Sequence, residues 1–105
     1  ENIDLYRNAG AVYQTILNDT FLAASDNFMN MDKLNEMELE NLKVQFEDCT
    51  NFAQKARENF LMCSELEMDE SESEIYYEES KKLKSRIKDI KRIIKDINKK
   101  LDESE

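Results

Sequence analysis

The chain has 105 residues, 37% of them charged and 40% hydrophobic, with a net charge of −9 and no His. That length sets one domain near the lower end of independent folding. The acidity argues against general affinity for nucleic acid, and the lack of His removes the commonest general base and metal ligand. One Gly and no Pro, against usual shares of roughly 7% and 5%, leave few turns, so long helices in a thin bundle or coiled coil are expected.

At the N-terminus, Ile3, Tyr6, Ala9, Val12 or Tyr13, and Ile16 recur every three to four residues. The spacing predicts a short helix over 4–17, with Gly10 inside it costing up to about 1 kcal/mol relative to Ala. Asn18-Asp19-Thr20 then offers capping side chains, which predict the end of one helix and the start of another. The same three residues fit the acceptor pattern for N-glycosylation at Asn18, although capping explains them equally well. A second short helix is expected over 20–29, lined by Phe21, Ala24 and Phe28, with Met31 continuing its stripe. Asn30 to Asp32 forms another capping cluster.

From 34 the pattern becomes regular. Leu39, Leu42, Phe46, Cys49, Ala53, Ala56, Phe60 and Cys63 step by three and four, a heptad seam that predicts a long helix over 34–66. Both cysteines of the chain lie on it. If that helix is unbroken, fourteen residues separate their Cα atoms by roughly 21 Å, whereas a disulfide needs about 5.5–6 Å. Three readings stay open: reduced core residues, an intrachain bridge across a kink near Asn51 or Asn59, or bridges to other chains.

Residues 67–74 are polar and acidic and read as a loop. Residues 65–79 carry eight acids and no base. Tyr76 and Tyr77 lie among Asp69, Glu70, Glu72, Glu74, Glu78 and Glu79. Acid-flanked tyrosines are candidates for sulfation in a secreted protein, and Ser71, with Glu74 three residues on, suits an acidophilic kinase in a cytosolic one. A solvated loop followed by a charged first helical turn explains the same residues.

A second seam, through Tyr76, Ser80, Leu83, Ile87, Ile90, Ile94, Ile97 and Leu101, predicts a long helix over 75–102. Residues 81–101 carry ten bases against Asp89 and Asp96, and acidic neighbours within the molecule are expected to satisfy them. Two helices of matched length joined by a short loop should fold back antiparallel. The expected fold is therefore an elongated all-α, single-domain protein of four helices: two short N-terminal ones and a long coiled-coil-like hairpin. A homodimer is expected, because the thin hairpin has more apolar seam than one copy can cover.

Chemistry finds little footing in this pattern. Two cysteines so spaced, without His, make neither a zinc site nor a C-x-x-C redox pair. The acidic loop lacks the Gly and the alternating ligands of a calcium-binding EF-hand. No nucleophile has a visible base, so no catalytic, cofactor or metal residue is assigned and no enzymatic activity is expected. No apolar run approaches the ~20 residues of a membrane span.

In its size, helix content, acidity, two cysteines and Asn- and Lys-rich texture, the chain resembles the small helical salivary proteins of blood-feeding mosquitoes. It is most similar in style to the anopheline inhibitors of the alternative complement pathway. The resemblance is one of character rather than motif, so no functional residue is carried over. It implies a secreted protein that binds the C3 convertase assembly without catalysis, and it tips Cys49 and Cys63 toward a disulfide. A start at Glu1 rather than Met is in keeping with a removed signal peptide or an excised fragment. The rival expectation is an intracellular coiled-coil scaffold. In either case Phe28, Asp69, Glu70, Glu72, Glu74, Tyr76 and Tyr77 are the candidate partner contacts.

Overall fold

In a computed structural model, which describes residues 2–103, three helices account for nearly all of the chain: α1 (Ile3–Phe28), α2 (Glu36–Leu66) and α3 (Glu70–Glu103). The expectation of four helices is thus corrected to three. The predicted break at Asn18-Asp19-Thr20 does not occur. Residues of this type cap helices because they bond to backbone, but in a helix interior they cost only a few tenths of a kcal/mol each. A third apolar stripe overrides them. Ile3, Tyr6, Gly10, Tyr13, Leu17, Phe21, Ala24 and Phe28 are all buried or half-buried along one face of α1.

α1 ends where the side chain of Asn30 donates to the carbonyl of Asp26 at 3.1 Å. A single 3-10 turn (Met31–Lys33) follows. α2 then opens on a capping box: Asn35 Oδ1 accepts from the Glu38 amide at 2.8 Å, and Glu38 Oε1 accepts from the Asn35 amide at 3.0 Å. Two orphan amides are satisfied reciprocally, which fixes the helix start.

The acidic loop is shorter than its composition suggests. α2 stops at Leu66 and α3 begins at Glu70, so the connection is 67–69 rather than 67–74. Asp69 Oδ1 accepts from the amides of Ser71 and Glu72 at 2.9 and 3.1 Å, and Glu67 Oε1 accepts from the Asp69 amide at 3.1 Å. Acids belong at a helix N-terminus, where they meet unpaired amides and the positive end of the dipole. Glu70, Glu72 and Glu74 therefore continue the helix instead of delaying it.

The three helices run up, down and up. Gly10 meets Phe60, and Phe28 meets Phe46, which sets α1 antiparallel to α2. Ser73 donates to the Ser64 carbonyl at 2.7 Å beside the α2–α3 turn. Arg86 reaches Asn18 and Phe21, so α3 runs parallel to α1. Principal extents of 54 × 18 × 17 Å describe a rod with a nearly round section. Its length matches the ~51 Å that the 34 residues of α3 span at about 1.5 Å each.

One hydrophobic core runs along the axis, formed by Leu17, Ala24, Leu42, Phe46, Ala53, Phe60, Leu83, Ile87, Ile90, Ile97 and their neighbours. Every seam position of α2 from Leu39 to Cys63 is buried. α1 lies over the hairpin and covers the apolar strip that, on the sequence alone, called for a second copy.

The expectation of a disulfide between Cys49 and Cys63 is also corrected. α2 is a single helix from Glu36 to Leu66, uninterrupted through Asn51 and Asn59, and both cysteines are free. At two heptads apart on one face, Cys49 and Cys63 cannot approach each other. Both are fully buried, so neither is placed to bridge to another chain. Each acts as a small core residue.

Candidate binding surfaces

The sequence-predicted contact residues do not form one surface. Phe28 lies beside the α1–α2 connection, half-buried, with its ring edge-on to Phe46 at 5.9 Å between centroids. It is a core residue of that end. Asp69 and the glutamates lie at the opposite end of the rod, around the α2–α3 turn. Tyr76 and Tyr77 diverge as neighbours on a helix must. Tyr76 packs against the core, while Tyr77 faces solvent with Lys81 Nζ 5.4 Å from its ring centroid. Asn18 is exposed in the middle of α1 and accepts a hydrogen bond from Arg86.

The thiols are chemically quiet. Burial pushes Cys49 up from 9.0 to about 11, against a smaller opposing pull from the Arg86 charge. Burial raises Cys63 too, opposed by Arg7. Only the thiolate is a nucleophile or metal ligand, so both side chains are inert near neutral pH. Among the described residues, no three His, Cys, Asp or Glu side chains gather in a way that could hold a metal ion. No helix there is long and apolar enough to cross a membrane.

The expected internal neutralisation of α3 is largely absent. Lys100 pairs with Asp32 at 3.0 Å across the bundle, and this contact holds the Lys100 pKa up. The other ion pairs among the described residues lie within single helices at three-residue spacing. Lys84, Lys88, Lys91, Lys95 and Lys99 therefore form an exposed cationic stripe along α3. Their row follows helical periodicity, but the sequence could not show whether acids from α1 and α2 reach it.

The feature that sequence reasoning missed is an open cleft of about 450 Å³ at the turn end, lined by Asn2, Tyr6, Met62, Leu66 and Met68. Met68 is 95% exposed in the turn itself, and Leu66, the last residue of α2, is 37% exposed. Met62, Leu66 and Met68 lie off the heptad seams, while Tyr6 belongs to the apolar stripe of α1. A signal did exist: two large apolar residues flank Glu67, immediately before the Asp69 cap, where solvent exposure is expected.

The molecule is thus an all-α, three-helix bundle with a sealed core and a charged exterior broken by a few exposed apolar side chains. Comparison of the chain with known protein families, characterised proteins and solved structures gives no match.

Proposed function

We propose that this is a non-enzymatic binding protein that acts by covering part of a macromolecular partner. The observation that carries this reading is the set of large apolar side chains left in water on a rod whose core is already closed. They include Leu5, Met68 and Ile75, each at least 60% exposed. Affinity in such a protein comes from a few apolar anchors within a polar rim, not from an enclosed pocket.

For the partner, the resemblance to anopheline salivary inhibitors supports a secreted protein that blocks the alternative-pathway C3 convertase. The test is erythrocyte lysis in serum under conditions that isolate that pathway. Dose-dependent protection is the expected result, and full lysis at micromolar protein discards the reading. The intracellular scaffold is favoured by one observation, the pair of unbridged, buried cysteines, since disulfides are rare in reducing compartments and free thiols are ordinary there. Capture of specific partners from a cytosolic extract of the source tissue, together with no effect on lysis, would support it.

The homodimer now rests on a different surface from the hairpin seam. Leu5, Ala9, Val12 and Ile16 recur at steps of four, three and four on a face of α1 away from the main stripe. Leu5 and Val12 are exposed. Sedimentation velocity tests it: a monomer throughout the micromolar range removes the dimer.

A further inference from the structure

We propose that the turn-end cleft is a docking site for a cationic amphipathic segment of another protein, with its apolar side chains seated on Tyr6, Met62, Leu66 and Met68. The proposal rests on reading the chain as a binding protein, and adds where it binds and what chemistry the partner presents.

Three observations converge there. The floor is apolar and adaptable, since two of its five residues are methionines, whose unbranched thioethers conform to varied shapes. The adjoining turn and the start of α3 are strongly anionic. Residues 65–79 hold eight acids and no base, and none of the ion pairs among the described residues involves residues 65–74. Arg7, on the adjoining helix, is held by Asp4. The site is also preorganised, because Glu67 and Asp69 are bonded to turn amides while Glu65, Glu70, Glu72 and Glu74 remain exposed.

An apolar floor inside an anionic rim selects a segment with the opposite pattern: Leu- or Phe-like anchors at helical spacing, flanked by Lys or Arg. A second copy of this chain does not supply one. Its cationic stripe on α3 has no exposed apolar anchor, and the exposed stripe on α1 carries no row of bases.

The chain's five methionines provide the test. Met62 and Met68 line the cleft, while Met29, Met31 and Met37 lie at the other end of the rod. The full chain, labelled at its methionine methyls, is titrated with a designed helical peptide of Leu and Lys. The same peptide with Glu for Lys serves as the control. The expected result is saturable shifts at Met62 and Met68 alone, no shifts with the Glu peptide, and weaker binding as salt rises. Leu66→Ser with Met68→Ser should weaken binding at least tenfold, and melting temperature checks that the double variant stays folded. Met68→Ser alone, at a side chain almost wholly in water, should weaken it several-fold without touching the fold.

No binding at low salt overturns the proposal, as do shifts centred on Met29, Met31 and Met37, or affinity indifferent to both variants. Shifts at Met62 and Met68 that track protein concentration without peptide also overturn it, by making the cleft a self-association face. Binding at the far end would leave the general reading as a binding protein standing.

Discussion

Phe46 and Gly10 close the same groove between α1 and α2 by opposite means. Near the α1–α2 connection, Phe46 is wholly buried and takes the edges of Phe21 and Phe28 at 5.8 and 5.9 Å. Near the other end the large residue is again on α2, at Phe60, but α1 answers with Gly10. A Cβ built on Gly10 would lie 3.0 Å from two atoms of the Phe60 ring. One end is filled by interlocking rings, and the other by a backbone that gives way to a single ring. The glycine, which on propensity alone weakens α1, lets that helix lie close over Phe60. The first end should fail by leaving a hole, and the second by being overfilled.

The aromatic end should respond most. Phe46→Ala leaves a cavity facing two rings and should cost about 3–5 kcal/mol, read from urea unfolding. A loss under about 1 kcal/mol would mean that this end is no better packed than the glycine end. The next largest effect belongs to Cys49, between the two ends. The unfolded chain gives up its thiol proton near 9 and the folded chain at about 11. The contribution of the protonated thiol is therefore complete below 9 and is lost as pH rises through 11, by about 2–3 kcal/mol. Wild type should lose this increment relative to Cys49→Ala in alkaline unfolding series, and parallel curves would refute the shift.

Overfilling the glycine end should cost less. Gly10→Leu should destabilise by about 1–3 kcal/mol, and Phe60→Ala in the same chain should return part of that loss. Strict additivity of the two changes would show that the residues do not share the space. The smallest effect is expected on the solvent side of the aromatic end. There Arg86 lies over the Phe21 ring, 5.2 Å from its centroid, and bonds Asn18. Arg86→Ala should cost about 1 kcal/mol, measured as a shift in thermal midpoint.

The sequence made this comparison half visible. Phe46, Cys49 and Phe60 could be placed on the buried face of α2 from heptad spacing alone, because one helix packed on both flanks must keep that face apolar. Helix α1 was harder. Its stripe passes through Gly10 and its solvent side carries Asn18 and Asp19, so local propensity and tertiary packing point in different directions, and packing prevails. The start of α3 was hidden for the converse reason. ESESE looks like solvated loop by composition, yet its acids suit a helix N-terminus capped by Asp69.

The proposed docking cleft was the least legible part. Met62, Leu66 and Met68 are close in sequence, but Tyr6 joins them only because α2 runs antiparallel to α1 and brings its C-terminal end beside the start of that helix. Tyr76 and Phe28, chosen for their aromatic character, are used inside the bundle instead. Exposure at a rod's end depends on where three helices stop, and periodicity within any one of them does not encode that.

Helix α2 is the common wall of the molecule, packed by α1 on one side and α3 on the other, each reached through a short connection. Contacts between helices therefore fall mostly between elements adjacent in the chain order. Topologies of this kind place folding in the microsecond-to-millisecond range. The newly made chain should consequently spend little time with its seams exposed to aggregation.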